Sequence, residues 1–192
     1  VIDADPGFET IRTTLQSALP MPFVVTVTSS RIGDGKTDVA AGTARAFVAA
    51  GFSALVIDAN PQSPRLADAL GIAALAAPSA LVPDPFPLAI ATPGLPDALS
   101  VASFTLIDAA TLGMVRAFVA GARTRYAVTI FDTSTLDDSA FPTACCSASD
   151  GVILAVRYGR RRHDDDYRLI ATIEGAGGTI IGTVPTRFPA RA

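Results

Sequence analysis

The chain holds a single lysine, a single histidine and two cysteines, and only 17% of its residues are charged. Each scarcity excludes something. With hydrophobic residues at 49%, the low charge places the chain among compact globular proteins and away from disorder. A net charge of −3 gives no general reason to expect nucleic-acid binding. No apolar run approaches the roughly 20 residues that span a bilayer, and no signal peptide is visible. The sequence starts at Val1 and is expected to be an excised piece, so these absences describe residues 1–192 and not a parent protein. The cysteines, Cys145 and Cys146, are adjacent; that suits neither ordinary disulfide geometry nor a zinc site, and small buried fillers of a reduced, cytosolic protein are expected.

What is present is an alternation of helical and strand-like segments. A length of 192 residues suits one well-buried domain, spanning 1–192. The spacing of Phe8, Ile11, Leu15 and Leu19 predicts an entry helix over about 7–19, stopped by Pro20. Buried strands are expected at 23–28, 54–59, 127–132 and 151–156, with a last one in "TIIGTV". Helices are expected at 36–50, in "RLADALG", at 112–125, and in "DDDYRLIATIEGAG", whose acids suit a first helical turn. Residues 72–105 are rich in Pro and Ala and poorly periodic; a strand at "PLAIAT" and a loop at Pro93-Gly94 are all that can be placed. Continuous apolar strands separated by helices predict an α/β fold, a doubly wound, mostly parallel sheet with helices on both faces.

The stretch "TVTSSRIGDGKT" joins the first strand to the second helix. A phosphate-binding loop needs that order of elements, with backbone N–H groups turned inward and a helix N-terminus facing the anion. Gly33 and Gly35 allow close backbone approach, Lys36 can reach β- and γ-phosphates, and Thr37 can place its hydroxyl on Mg²⁺. Ser30 stands where the first glycine is usual, a position whose need is mainly low bulk. Asp34 and Asp38 complete the segment of candidate nucleotide contacts. A dinucleotide turn would require a third glycine at Asp38. Fourteen arginines accompany the one lysine, and that lysine is Lys36, where a compact ammonium is wanted against phosphate.

Two further strands end in acids, Asp58 in "LVIDAN" and Asp132 in "TIFDTS". Ligands of open parallel sheets sit beyond the carboxyl ends of the strands, so Asp58, Asp132 and Thr37 form a candidate Mg²⁺ site. The alternative for such an acid is capping of the following turn.

With these residues in hand, the chain resembles the cytoplasmic domain of bacterial tyrosine kinases (BY-kinases), the ATPase part of polysaccharide co-polymerases, within the MinD/ParA-like P-loop group. "FETIRTTL" is similar to that family's entry helix, "VTSSRIGDGKT" to its Walker A loop, and "LVIDANPQSPRLADALG" to its Walker A′ segment. "VTIFDTS" is similar to its Walker B strand and "DGVILAVRYG" to the strand after it. The resemblance implies a P-loop NTPase fold and Mg²⁺-dependent use of ATP or ADP. It makes Lys36, Asp58 and Asp132 catalytic-site residues and implies a protein-tyrosine-kinase-like enzyme in exopolysaccharide or capsule biosynthesis or export. It further implies a cytoplasmic domain at the bacterial inner membrane, a homo-oligomer, and a membrane-embedded chain-length segment or partner protein.

Departures qualify that expectation. The second Walker A′ acid, which in the kinases assists the attacking tyrosine, is Asn60, and a carboxamide cannot take up a proton usefully near neutral pH. Ser134 replaces the proline of the Walker B ending, and Thr186 takes the place of an asparagine that helps read adenine. In the entry helix Pro6 and Glu9 stand for the family's glutamate and first arginine, and only Arg12 persists. The C-terminal tyrosine cluster is absent: Tyr126, Tyr158 and Tyr167 are well separated. Arg31 occupies the place where MinD and ParA relatives carry a lysine that reaches across a dimer. Phosphotransfer to tyrosine is therefore expected to be weak or lost. The alternatives are a positioning ATPase that dimerises on ATP, an active autokinase lacking its tail, and a scaffold with a relic loop. "RYGRRRHDDDY" reads as a solvated basic loop, including His163, before an acidic helical turn.

Overall fold

The computed structural model describes residues 5–60, 63–72, 98–103, 112–136, 140–159 and 164–187. Twelve elements alternate along them: α1 (Pro6–Ala18), β1 (Phe23–Thr28), α2 (Lys36–Ala49), β2 (Ala54–Ala59), α3 (Leu66–Leu70), β3 (Leu99–Ser103), α4 (Leu112–Arg123), β4 (Val128–Thr133), α5 (Ala140–Ala148), β5 (Gly151–Arg157), α6 (Asp164–Gly175) and β6 (Ile180–Thr186). The six strands form one sheet in the order β3-β2-β4-β1-β5-β6, and every pairing is parallel.

The pattern that predicted strands also sorts their residues between faces. Side chains alternate along a strand, so Val25 and Val27 of β1, Val56 of β2 and Ile130 of β4 point one way and pack with Val39, Ala40, Ala44 and Phe47 of α2. The intervening Val24, Leu55, Ile57 and Phe131 point the other way, onto Val115, Phe118 and Val119 of α4 and Phe141 of α5. Beyond β5, Val152 and Leu154 pack on Leu169 and Ile173 of α6 and on Cys146. Helices thus cover both faces, as a doubly wound sheet requires. Both cysteines are free and buried, and burial pushes the Cys146 thiol up to about 12.

Element ends differ from the sequence expectation by one or two residues. α1 runs over 6–18 and not 7–19, because Pro6 opens it and the Asp5 carboxylate accepts the Gly7 N–H at 2.8 Å. α4 ends at Arg123, two residues early. Two elements were not foreseen: β3, inside the unpatterned stretch, and α5, which carries the cysteines. The strand expected at "PLAIAT", the Pro93-Gly94 loop and His163 lie outside the described residues.

Candidate nucleotide site

β1 delivers the chain to the loop at the carboxyl edge of the sheet. Gly33 and Gly35 adopt φ of 85° and 86°, a left-handed turn that glycine enters without steric cost. Gly35 is the N-cap of α2, and no side chain caps that helix. The first N–H groups of α2 therefore face outward without an intrahelical acceptor, which is the arrangement that takes an anion. A Cβ at Gly35 would come within 3.0 Å of the Thr186 side chain, so the loop and the end of β6 are in close contact.

Lys36 is only 8% exposed. Its ammonium donates to the Ser29 hydroxyl at 3.0 Å and to the Arg31 carbonyl at 3.3 Å, folded onto its own loop. Thr37 donates its hydroxyl to Asp132, while Asp132 Oδ1 is buried with no hydrogen-bond donor among the described residues. The Asp132 carboxyl is pushed up to about 7, chiefly by burial and also by Asp58; the Thr37 bond and Lys36 act in the opposite direction.

Asp58 and Asp132 are register partners on adjacent strands, both on the face that carries α2. Their surroundings nevertheless differ. Asp58 accepts from the Leu66 N–H at 3.1 Å and the Asn60 N–H at 3.2 Å, so it caps the start of α3. Burial raises its carboxyl from the ordinary value, and those backbone donors counter the rise. Of the two acids, Asp132 has the oxygen still to be satisfied. A buried orphan carboxylate oxygen beside a threonine hydroxyl is a hard, oxygen-only donor pair, which fits Mg²⁺ completed by phosphate oxygens and water. Among the described residues no cluster of three or more His, Cys, Asp or Glu could hold a metal by itself. Thr37 and Asp132 would hold the ion, with Asp58 behind them.

The remaining sequence candidates fall around the same loop. Asp34 is buried, and its carbonyl accepts from the Thr186 hydroxyl at 2.6 Å. Thr186, placed by the resemblance at the base-reading position, has its hydroxyl committed to the loop backbone. Ser30 bonds Asp166, and Arg31 makes an ion pair with Asp165 at 3.0 Å, so the acidic first turn of α6 ties down the loop. Within the chain Arg31 pairs with Asp165, and both side chains are partly exposed. Arg12 likewise turns inward along its own helix, to Glu9 at 2.8 Å and to Gln16.

A cavity of about 370 Å³ opens in front of the loop, lined by Lys36, Thr37 and Asp38 on one side and by Asn60, Ser134 and Thr135 on others. That size lies in the range of small-molecule sites. Arg65, the N-cap of α3, and Asp68 within α3 also line it, and sequence reasoning missed both as site residues. Their signal was present: a cation at the start of a short helix and an acid three positions on, in the first helix after a strand-end aspartate. A second cavity, about 660 Å³ and mostly apolar, lies between α1 and β6 and shares Asp38 and Arg187 with the first.

No family model matches the chain, and no curated protein does. Solved structures do. The kinase domain of the Escherichia coli tyrosine kinase ETK superposes with a TM-score of 0.79 at 18% identity, over 96% of this chain and 76% of that one. MinD cell division protein from Aquifex aeolicus gives a TM-score of 0.69 at 18% identity, over 87% and 70%. Cobyrinic acid a,c-diamide synthase from Mycobacterium smegmatis, with bound ATP analog and magnesium, gives 0.67 at 19%, over 88% and 74%. The fold is therefore that of the MinD/ParA-like P-loop ATPases and of the bacterial tyrosine kinase domains built on the same plan.

Proposed function

We propose that the chain binds Mg·ATP at residues 29–37 and serves as a BY-kinase-like nucleotide domain in exopolysaccharide or capsule biosynthesis or export. The observation that carries the reading is the pair of unmet demands at one spot: an uncapped helix N-terminus that calls for an anion, and the orphan Asp132 oxygen beside Thr37 that calls for a cation. Mg²⁺ would supply charge neutralisation between β- and γ-phosphate oxygens. The chain's own residues position: Lys36 leaves Ser29 and the Arg31 carbonyl for phosphate, and Gly33 and Gly35 let the backbone close on it.

Phosphotransfer to tyrosine is weak or lost in this reading. Asn60 lines the cavity where the kinases place a proton acceptor. Among the described residues no helix is long and apolar enough to cross a membrane. The BY-kinase likeness brings into the proposal a membrane-embedded chain-length segment or partner, with this domain at its cytoplasmic side. A positioning ATPase remains the second reading, favoured by the place of Arg31 in the loop. Calorimetric titration of the protein with Mg·ATP and Mg·ADP tests the central claim. Binding is expected in the wild type and lost in Lys36→Met, with the circular dichroism spectrum unchanged. Equal affinity in both proteins would refute the assignment.

A further inference from the structure

We propose that Arg65, the N-cap of α3, and Asp68 within α3 are the catalytic pair of this site, Arg65 donating to the terminal phosphate of a bound nucleoside triphosphate and Asp68 accepting the proton of the attacking water. The inference rests on the Mg·ATP reading above and gives that site a reaction, slow hydrolysis, in place of the transfer that Asn60 no longer supports.

Three observations carry it. Both side chains line the cavity that Lys36 and Thr37 line. Neither side chain has a hydrogen-bond or ion-pair partner among the described residues. Four other arginines are engaged: Arg12 with Glu9, Arg31 with Asp165, Arg45 with the Leu70 carbonyl, and Arg123 with Asp150, while Arg187 lines the same cavity as Arg65. An exposed arginine and an exposed acid with no partner among the described residues, both at the wall of one polar cavity, are available to a ligand.

The third observation is how firmly α3 is held. Leu66 and Leu70 are buried, Gly71 ends the helix at φ 68°, and Arg45 takes the Leu70 carbonyl. The N–H of Leu66 is fixed by Asp58, the register partner of Asp132. The helix that follows Arg65 and carries Asp68 is thus anchored to Asp58, the neighbour of the aspartate at the candidate metal site. Positional precision of this kind is what a proton acceptor needs.

The other candidate acceptors serve less well. Asn60 cannot accept a proton in this role, and Asp132 is enclosed behind Thr37. Asp38 also lines the cavity, but it comes after Thr37 on the helix that meets the phosphates. Asp68 reaches the cavity from α3, and Asn60 lines the same cavity. In the step proposed, the water oxygen bonds to the γ-phosphorus, and the bond to the β,γ-bridging oxygen breaks with its electron pair leaving on ADP. The proton released by water passes to the Asp68 carboxylate and then to the departing phosphate.

The test compares wild type, Arg65→Ala, Asp68→Asn and Asp38→Asn, all checked by circular dichroism. Affinities for Mg·ADP and for a non-hydrolysable ATP analogue are measured by calorimetry, and phosphate release from Mg·ATP is measured separately. Asp68→Asn is expected to release phosphate about a hundredfold more slowly, the scale of a lost general base, with analogue affinity within about threefold of wild type. Arg65→Ala is expected to lose about tenfold of the preference for the analogue over ADP, the scale of a charge-assisted bond to the extra phosphate. Unchanged phosphate release in Asp68→Asn, or a loss confined to Asp38→Asn, overturns the role of Asp68. An unchanged analogue-to-ADP ratio overturns that of Arg65. A wild type that binds nucleotide but releases no phosphate also overturns the proposal. A folded wild type that binds neither nucleotide brings down the Mg·ATP reading and this pair with it.

Discussion

Replacing Asp132 by asparagine should stabilise the metal-free protein, and do so more at alkaline than at acid pH. The carboxyl is 1% exposed and is raised from 3.8 to about 7, chiefly by burial. A carboxyl whose folded value is raised contributes stability that is fully present below its unfolded value and is lost as pH climbs through the folded value. At about 1.4 kcal/mol per unit, the whole rise corresponds to a penalty of about 4 kcal/mol above pH 7. Asparagine has nearly the same shape, can still accept from Thr37, and carries no charge to desolvate. The stability gap between Asp132→Asn and wild type should therefore widen by about 3 kcal/mol between pH 5 and pH 8, the part of the window that lies below 7. Urea unfolding at the two pH values, in chelator and without nucleotide, measures this gap directly. A constant gap, or one that narrows toward pH 8, would refute the claim that Asp132 bears an uncompensated buried charge. The same substitution should weaken the Mg²⁺ dependence of ATP binding, because it removes the anion that the ion would answer.

Two further outcomes are expected. Gly42→Val should cost about 1–3 kcal/mol in urea unfolding, since even a Cβ there would lie 2.3 Å from the Phe8 ring where α1 crosses α2; in a Phe8→Ala background most of that cost should vanish, and a cost that persists would place the clash elsewhere. Wild type in Mg·ATP should incorporate little label into tyrosine, and Asn60→Asp should raise transfer to an added tyrosine-rich peptide; robust, Lys36-dependent labelling of the unmodified protein would overturn the view that transfer is weak.

Elements with continuous apolar runs between strong breakers were legible from sequence to the residue: 23–28 comes after Pro20 and Pro22, and 54–59 after Gly51. The loop was legible because Gly33, Gly35, Lys36 and Thr37 are close together in the chain. β3 was not, because "LSVAS" is five residues long and partly polar, and only pairing beside β2 makes it a strand. α5 was hidden by its composition: "AFPTACCSA" holds a proline in its first turn, where a helix tolerates one, and its apolar residues show little periodicity. Contacts distant in sequence were out of reach for a plainer reason. Thr186 meets Asp34 across 152 positions and Arg31 meets Asp165 across 134, and no local pattern encodes either pairing.

The two strand-end acids show where sequence reasoning stops and geometry begins. Asp58 and Asp132 have the same motif context, the same place at a strand tip, matched register and near-complete burial. Sequence could state both options for each, metal contact or cap, and could not divide them. The division comes from the path of the chain beyond each strand. After β2 the chain turns back within eight residues and brings the Leu66 N–H onto Asp58, so that carboxylate is met by backbone. After β4 the chain leaves without returning a described donor to Asp132 Oδ1, and the carboxyl's side-chain hydrogen bond is with Thr37, in the first turn of α2. One acid thus holds α3 in place and the other keeps an unspent charge at the mouth of the loop. The register of the two acids has a mechanical consequence: α3, with Arg65 at its N-cap and Asp68 within it, is tied through Asp58 to the strand beside Asp132, so moving α3 away from that strand breaks the Asp58 cap.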